Sequence, residues 1–379
     1  MGSMYMMLSI VIPTFNEREN VRTIAERIHT ALAGEPYEYE IWFIDDSRDD
    51  TPIILAELAK QQPQIHYFHR DHGTGLASAV VEGFARSQGE YLVVMDADLQ
   101  HPPELLPTLV QRLRQHIDIV IPSRFVEGGS DGGLNGFRKL VSWTARVVGQ
   151  LALRRLRQVS DCTGGYFGLR RSVIEHAKLD PIGWKILMEV LVKGEYQRVH
   201  ELPYAFAARQ AGESKMSLRE QWNYLHHVFR LVVQSPEDRR FYLYCLVGGL
   251  GVVVNLIVMT AVMYGLHLHP VLASIIASVV AMIHNFLWND RVTWKERTPS
   301  VRWRRMLQMP VFMAVSGVGI AVTALFVEVF LRLHWPELVG QLVGIVVSTV
   351  WTFIANNRWT WTERANQKKL RHKVRVTQE

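Results

Sequence analysis

Asp96, Asp98 and Gln100 stand at alternate positions in VMDADLQHPPE (Val94 to Glu104), directly after an apolar run. In an extended segment alternate side chains point the same way, so the three are expected on one side, away from Ala97 and Leu99. Two carboxylates and an amide are hard oxygen donors. They suit Mg2+ or Mn2+ rather than zinc, and such ions are commonly shared with a substrate's phosphates. A carboxylate pair at a strand end can also simply cap the next helix. His101, next in the motif, reads as structural.

What separates these readings is whether other strand ends deliver polar groups to the same place. Strand-like runs occur at Leu8 to Ile12, Tyr39 to Ile44, Ile65 to His69, Tyr91 to Met95 and Ile117 to Pro122. Helical patterns fill the intervals at Glu17 to Ala33, Thr51 to Lys60, Leu76 to Ser87 and Pro103 to Arg114. This alternation argues for an α/β domain with a mainly parallel sheet covered on both faces. Ligands bind such sheets beyond the carboxyl ends of the strands. Thr14, Asn16 and Glu17 follow the first strand and Asp45 and Asp46 the second. Arg70, Gly73 and Gly75 follow the third, and Asp96, Asp98 and Gln100 the fourth. Four consecutive strand ends thus converge on one crevice. The chain has neither GxGxxG nor GxxxxGK followed by Ser or Thr, so neither dinucleotide binding nor a P-loop is indicated.

The rest of the chain is built for another solvent. Of 379 residues 48% are hydrophobic, and the apolar ones concentrate between Phe241 and Ile354. Four segments there are long enough to cross about 30 Å of hydrocarbon: Phe241 to Leu266, Val271 to Trp288, Met309 to Phe330 and Leu338 to Ile354. The net charge of +6 comes with no nucleic-acid motif, and the basic residues cluster beside the apolar runs. An anionic membrane surface is the expected partner. Arg291, Lys295, Arg297, Arg302, Arg304 and Arg305 occupy the middle loop, and Arg358, Arg364, Lys368, Lys369, Arg371 and Lys373 the tail. The opposite loops hold only Arg332, which places both termini in the cytoplasm by the positive-inside rule. Two cysteines give no disulfide framework, and the N-terminus enters a strand-like run without signal-peptide features, so none is expected.

The membrane half repeats itself. FLWNDRVTWKER (Phe286 to Arg297) realigns with FIANNRWTWTER (Phe353 to Arg364), and Gly249 and Gly251 echo Gly317 and Gly319. Two parallel hairpins follow, each ending in a Trp/Arg strip. These strips could pack helices and anchor at the interface, or grip a lipid phosphate or the catalytic domain. Asn255, mid-span, needs a hydrogen-bond partner on another helix.

SIVIPTFNERENV, FIDDSRDDT, HGTGLASAVVEGF, MDADLQHPPE and ELPYAFAARQAGESKM, in this order, resemble a family 2 glycosyltransferase of GT-A fold. More closely, they resemble polyprenyl-phosphate sugar synthases of the dolichol-phosphate mannose synthase type, over roughly residues 8 to 230. The four-helix part resembles the GtrA-like membrane family. The resemblance implies a Rossmann-like GT-A catalytic domain at 1–215 and an amphipathic juxtamembrane helix at 216–240. An all-α transmembrane domain of four helices would follow at 241–358 and a basic cytoplasmic tail at 359–379.

It also implies inverting, metal-dependent transfer of a hexose from a nucleotide sugar to a dolichyl or undecaprenyl phosphate. GDP-mannose is the favoured donor and UDP-glucose the alternative. Pro13, Glu17 and Asp45, with Asp46 beside it, would hold base and ribose. Asp96 would help seat the nucleotide, and Asp98 and Gln100, with Asp96 alongside, would bind Mg2+ or Mn2+. Arg124, Arg138 and Ser142 would take the acceptor phosphate, while Arg209, Ser214 and Lys215 would approach the diphosphate. The family's DDGSxDGT is here DDSRDDT, one residue shorter and without its glycines, where the base is expected.

The helices RKLVSWTARVVGQLALRRLRQ (Arg138 to Gln158) and SLREQWNYLHHVFRLVVQ (Ser217 to Gln234) mix cationic, aromatic and aliphatic residues as interfacial helices do. GWKILMEVLVK places Glu189 on a helix near the site. A processive polysaccharide synthase is disfavoured because no QxxRW precedes the membrane. A non-catalytic lipid translocation or scaffold protein is disfavoured by the complete set of acidic and basic site residues. A homo-oligomer is compatible with the chain.

Overall fold

The structure is a computed structural model that describes residues 7–71, 75–132, 136–206, 218–297, 307–362 and 375–378. The chain divides into two compact units, one of residues 1–235 with 372–379 and one of 236–371.

The first unit is an eight-stranded sheet in the order β3-β2-β1-β4-β6-β5-β7-β8. Its strands are β1 (Met7–Thr14), β2 (Glu38–Asp45), β3 (Ile65–His69), β4 (Tyr91–Val94), β5 (Ile119–Ser123), β6 (Phe167–Arg170), β7 (Arg198–Pro203) and β8 (Arg375–Gln378). Every pairing is parallel except those of β6, which runs antiparallel between β4 and β5. The strands read as continuous apolar runs because helices cover both faces. Along β1, Leu8, Ile10 and Ile12 face a core shared with α1 (Val21–Leu32), α2 (Thr51–Gln61) and α4 (Leu106–Arg114). Val11 points the other way, into a core built with α3 (Leu76–Arg86), α6 (Ile186–Lys193) and α7 (Leu218–Gln234). The five strands and four helices expected from periodicity are all present, with ends shifted by a few residues.

β6 decides how the site is assembled. Because it runs antiparallel, its incoming end lies at the edge where β4 and β5 finish. The turn before it, 160–166, is therefore carried between the Asp96 and Arg124 segments. Gly165 fits there for lack of a side chain: a Cβ would stand 3.1 Å from Asp96 Oδ2 and 3.3 Å from His101 Cε1.

The amphipathic pair is present as α5 (Gly136–Ala152) and α7, although the first ends before the expected Gln158, because Leu153 is extended and Arg154–Gln158 forms a separate 3-10 turn. Tyr224, Val228 and Leu231 of α7 are buried in the core, whereas Trp222 and Phe229 are 72% and 67% exposed. On α5, Leu140 and Trp143 are likewise exposed. Both helices thus bury one face in the unit and leave an apolar stripe outside. The tail departs from expectation, since Arg375–Gln378 pairs in parallel with Arg198–Glu201 of β7. A free sheet edge offers unpaired N–H and C=O groups, and VRVTQ has the β-branched character to take them.

Among the described residues, the second unit has four helices long and apolar enough to span a membrane: Pro236–Gly265, Leu272–Thr293, Gln308–Arg332 and Val339–Thr360. Its repeat is a reciprocal lock. The indoles of Trp294 and Trp361 stack with centroids 4.4 Å apart and planes 1° from parallel. Trp294 Nε1 donates to Asn357 Oδ1 at 3.4 Å, and Trp361 Nε1 donates to Asp290 Oδ1 at 3.3 Å. These are equivalent positions of the two repeats, so the contacts exchange about an approximate two-fold axis.

Each strip ends in a π-helical turn, tied by Thr293 to Asn289 at 2.8 Å and by Thr360 to Asn356 at 2.7 Å. Arg297 donates to the Asn357 side chain and to the Trp361 carbonyl. These buried groups bind each other, so the strips pack the helices together; Trp288 and Trp359 are exposed. Of the echoed glycines, Gly251 and Gly319 permit close approach to Asn285 and Thr352, while Gly249 and Gly317 face open space. Asn255 donates to Ser278 of the next span at 3.4 Å.

Candidate active site

A cavity of about 590 Å³ opens at the carboxyl edge of the sheet. Pro13, Thr14, Glu17 and Asp46 line one part, Asp96, Asp98, Gln100 and His101 the floor, and Arg124, Ser142, Thr163, Lys185 and Tyr204 the far part.

The segments after β1 and β2 are held together by their own side chains. Asn16, at φ +57°, receives the Arg48 N–H on Oδ1 at 2.9 Å and donates its own N–H to Ser47 Oγ at 2.7 Å. Glu17 N donates to Thr51 Oγ1 at 3.0 Å. This cross-bonding substitutes for the glycine turns that the shortened loop lacks. Asp46 lines the cavity in an ion pair with Arg70, whose Nε and Nη2 donate at 2.6 and 2.5 Å. Asp45 does not line it. Its carboxylate is fully buried, accepting from Thr14 and Ser47 on Oδ1 and from His69 on Oδ2. The carboxylate expected on the ribose therefore buttresses the wall that Thr14 and Asp46 present.

β4 ends at Val94, and the segment after it bends rather than continuing extended. Leu99 takes φ +62°, a costly conformation for a bulky side chain. The bend sends Leu99 into the core and keeps Asp98 and Gln100 on the cavity, with Asp98 Oδ1 accepting from Gln100 N at 3.2 Å. Ala97, expected to point away, contributes to the lining. His101 Nδ1 accepts the Asp96 N–H at 2.9 Å and its ring stacks on Tyr166 at 5.1 Å, which fixes the turn. Among the described residues no three His, Cys, Asp or Glu side chains form a metal cage. Two carboxylates and an amide do fit an ion that takes its remaining ligands from substrate phosphates.

On the far wall, Arg124 forks onto Asp161, Nε to Oδ2 at 2.8 Å and Nη2 to Oδ1 at 3.1 Å. Burial alone would lower the guanidinium's pKa; Asp161 outweighs it and raises it. Asp161 is set by Glu201 of β7, whose carboxylate receives Ser160 N, Ser160 Oγ and Asp161 N at 2.6 to 3.1 Å. Ser142, on α5, lines the cavity. Arg138 lies in the first turn of that helix, and its side chain falls outside the described residues, as do Arg209, Ser214 and Lys215.

Glu189 is not at the site. It is fully buried on the face of α6 that meets α7, receiving Lys193 Nζ at 2.6 Å, Asp180 N at 2.7 Å and His227 Nε2 at 2.9 Å. Burial would raise its pKa, but these three donors together hold it down at about 2. The residue of that segment which reaches the cavity is Lys185. Sequence reasoning gave no role to Lys185, Asp161, Tyr204 or Phe206, although all four lie in segments singled out for other reasons. The available signal was charge and aromaticity next to turn glycines in DCTGG and GWK.

Comparison with known proteins bears on the whole chain. Residues 9–177 match the glycosyl transferase family 2 model, and residues 243–370 match the GtrA/DPMS transmembrane domain. The dolichol-phosphate mannosyltransferase of Pyrococcus furiosus is 38% identical over 356 residues, covering 94% of this chain and 99% of its own. The chain belongs to the dolichol-phosphate mannosyltransferase family. It is a glycosyltransferase with a GT-A catalytic unit and a GtrA-like transmembrane domain, and so an integral membrane protein. The Saccharomyces cerevisiae dolichol-phosphate mannosyltransferase is 33% identical over 236 residues, covering 59% of this chain and 86% of its own. Among solved structures, glucosyl-3-phosphoglycerate synthase of Mycobacterium tuberculosis is similar with a TM-score of 0.46 at 18% identity, covering 61% of this chain and 80% of its own.

Proposed function

We propose that the protein transfers mannose from GDP-mannose to a polyprenyl phosphate, with inversion, at the cytoplasmic face of the membrane. The observation that carries this reading is a single cavity with Asp96, Asp98 and Gln100 on one side and Arg124, Ser142 and Lys185 on the other. The end-to-end similarity to a relative named dolichol-phosphate mannosyltransferase supports the mannosyl transfer, and the basic bias of the middle loop and tail supports the cytoplasmic face.

Attack on the sugar C1 forms a bond to an acceptor phosphate oxygen and breaks the bond to the nucleoside diphosphate, which leaves with the electron pair. A phosphate monoester has its second pKa at about 6, so it is already ionised near neutral pH and no side chain need remove a proton. The residues therefore position and balance charge. Pro13, Glu17 and Asp46, with Asp45 behind them, bound the nucleoside. Arg124, Ser142 and Arg138 orient the acceptor phosphate, and Arg209, Ser214 and Lys215 meet the diphosphate. Asp96, Asp98 and Gln100 would hold Mg2+ or Mn2+, which when bound offsets the charge of the leaving diphosphate. The exposed stripes Leu140/Trp143 and Trp222/Phe229 have the character of membrane-surface contacts and would bring the cavity to its lipid.

The test is a donor panel. Purified protein, farnesyl phosphate and Mn2+ are incubated separately with labelled GDP-mannose, UDP-glucose and UDP-galactose. Lipid-extractable label from GDP-mannose alone is expected; label from UDP-glucose instead would move the reading to a glucosyltransferase.

A further inference from the structure

The cavity that Arg124 lines holds a second cation, to which the sequence reading assigns no role. Lys185, at the N-terminal edge of α6, is partly buried, its ammonium deeply enclosed and reached by solvent through the cavity it lines. Among the described residues its one hydrogen bond is to the Thr163 carbonyl at 3.0 Å, and no carboxylate stands within ion-pair distance. An ammonium has three protons to donate, so two remain for a partner in the cavity.

The neighbouring cation differs. The Arg124 guanidinium is forked onto Asp161, so its charge is largely offset before any ligand arrives. Asp161 and Asp96 favour the ammonium from a distance, while burial and Arg124 oppose it more and lower its pKa. A lysine whose charge is this poorly compensated by its own protein is suited to an anion that enters from outside.

We propose that Lys185 binds a phosphate oxygen of the acceptor, its ammonium turning from the Thr163 carbonyl toward the attacking group beside Arg124 and Ser142. This rests on the polyprenyl-phosphate reading above. The acceptor is assigned rather than the nucleotide because Lys185 shares the wall of Arg124 and Thr163, whereas the nucleoside side is lined by Pro13, Glu17 and Asp46. Lys185 donates hydrogen bonds and transfers no proton. A negative phosphate would otherwise approach a floor of two carboxylates, and the ammonium counters that repulsion.

The experiment is steady-state transfer from GDP-mannose with farnesyl phosphate varied, in detergent, for the wild type, Lys185→Met and Lys185→Arg. GDP affinity is measured by calorimetry and Tm by thermal denaturation. Losing a charge-assisted hydrogen bond should raise the KM for farnesyl phosphate about tenfold or more. The GDP Kd should stay within about twofold, and Tm should hold or rise because an enclosed charge is gone. Lys185→Arg should recover part of the lost affinity. An unchanged farnesyl phosphate KM overturns the assignment, and so does a weakened GDP Kd with the lipid KM intact. A fall in Tm that Lys185→Arg repairs while the lipid KM is unaltered shows a structural lysine and overturns it too. Should the wild type form no lipid product from GDP-mannose, the function reading fails instead, independently of Lys185.

Discussion

Arg124 Nε and Nη2 donate to the two oxygens of Asp161 at 2.8 and 3.1 Å, joining residues 37 positions apart beside the cavity that Arg124 lines. The pair is itself held from behind, since Glu201 on β7 receives the backbone N–H groups of Ser160 and Asp161. A strand in the sheet thereby sets the direction of a guanidinium that lines the cavity.

Asp161→Asn should break this chain of orientation. An enclosed guanidinium deprived of its counter-charge costs about 3 kcal/mol, visible as a lower denaturant midpoint. The KM for polyprenyl phosphate should rise more than the KM for GDP-mannose. Equal increases in both constants would show that Arg124 is not oriented toward the acceptor.

Asp98→Asn keeps shape and volume while removing a negative oxygen donor. Transfer should fall by at least about 100-fold, with Tm changed by little because the residue contributes no apolar packing. Titrating Mn2+ against intrinsic fluorescence should show weaker binding in the presence of GDP. Wild-type metal affinity would remove Asp98 from the ion.

Much of the site was legible in the sequence because parallel strands in an α/β sheet must end on one edge, and those ends could be read from hydrophobic period alone. The place of Asp96, Asp98 and Gln100 in the cavity lining follows from that rule. Their geometry does not, since nothing in VMDADLQHPPE reveals that Leu99 adopts φ +62° and bends the segment. Asp45 was misplaced by one residue's worth of alternation: it faces Thr14, Ser47 and His69, and Asp46 faces the cavity. Lys185 and Asp161 were missed for a different reason. Their positions come from long-range neighbours carried in by β6, a four-residue antiparallel strand too short to announce itself.

The Glu189 cluster ties α7 to α6 and predicts a pH dependence. With the folded carboxyl at about 2 against its usual 4.5, the contribution is fully present above 4.5 and is lost as pH falls toward 2. Glu189→Gln should therefore lower Tm by a constant amount from about pH 5 upward, and the gap to wild type should close as the medium is acidified. A gap that persists undiminished at the acid end would contradict an ionised Glu189.

The stacked indoles predict coupling between the repeats. Trp361→Ala should destabilise the transmembrane domain by about 3 kcal/mol. A cycle with Trp294→Ala should return a coupling of about 1 kcal/mol, read from thermal denaturation in detergent. Strict additivity would mean that the two rings meet without supporting each other.

In the proposed reaction the acceptor phosphate is itself the nucleophile. The most direct test is the NMR-determined anomeric configuration of the lipid product made from the α-linked donor GDP-mannose and farnesyl phosphate. A β-mannosyl phosphodiester is predicted. An α-linked product, or mannose released to water with no lipid conjugate, would contradict it.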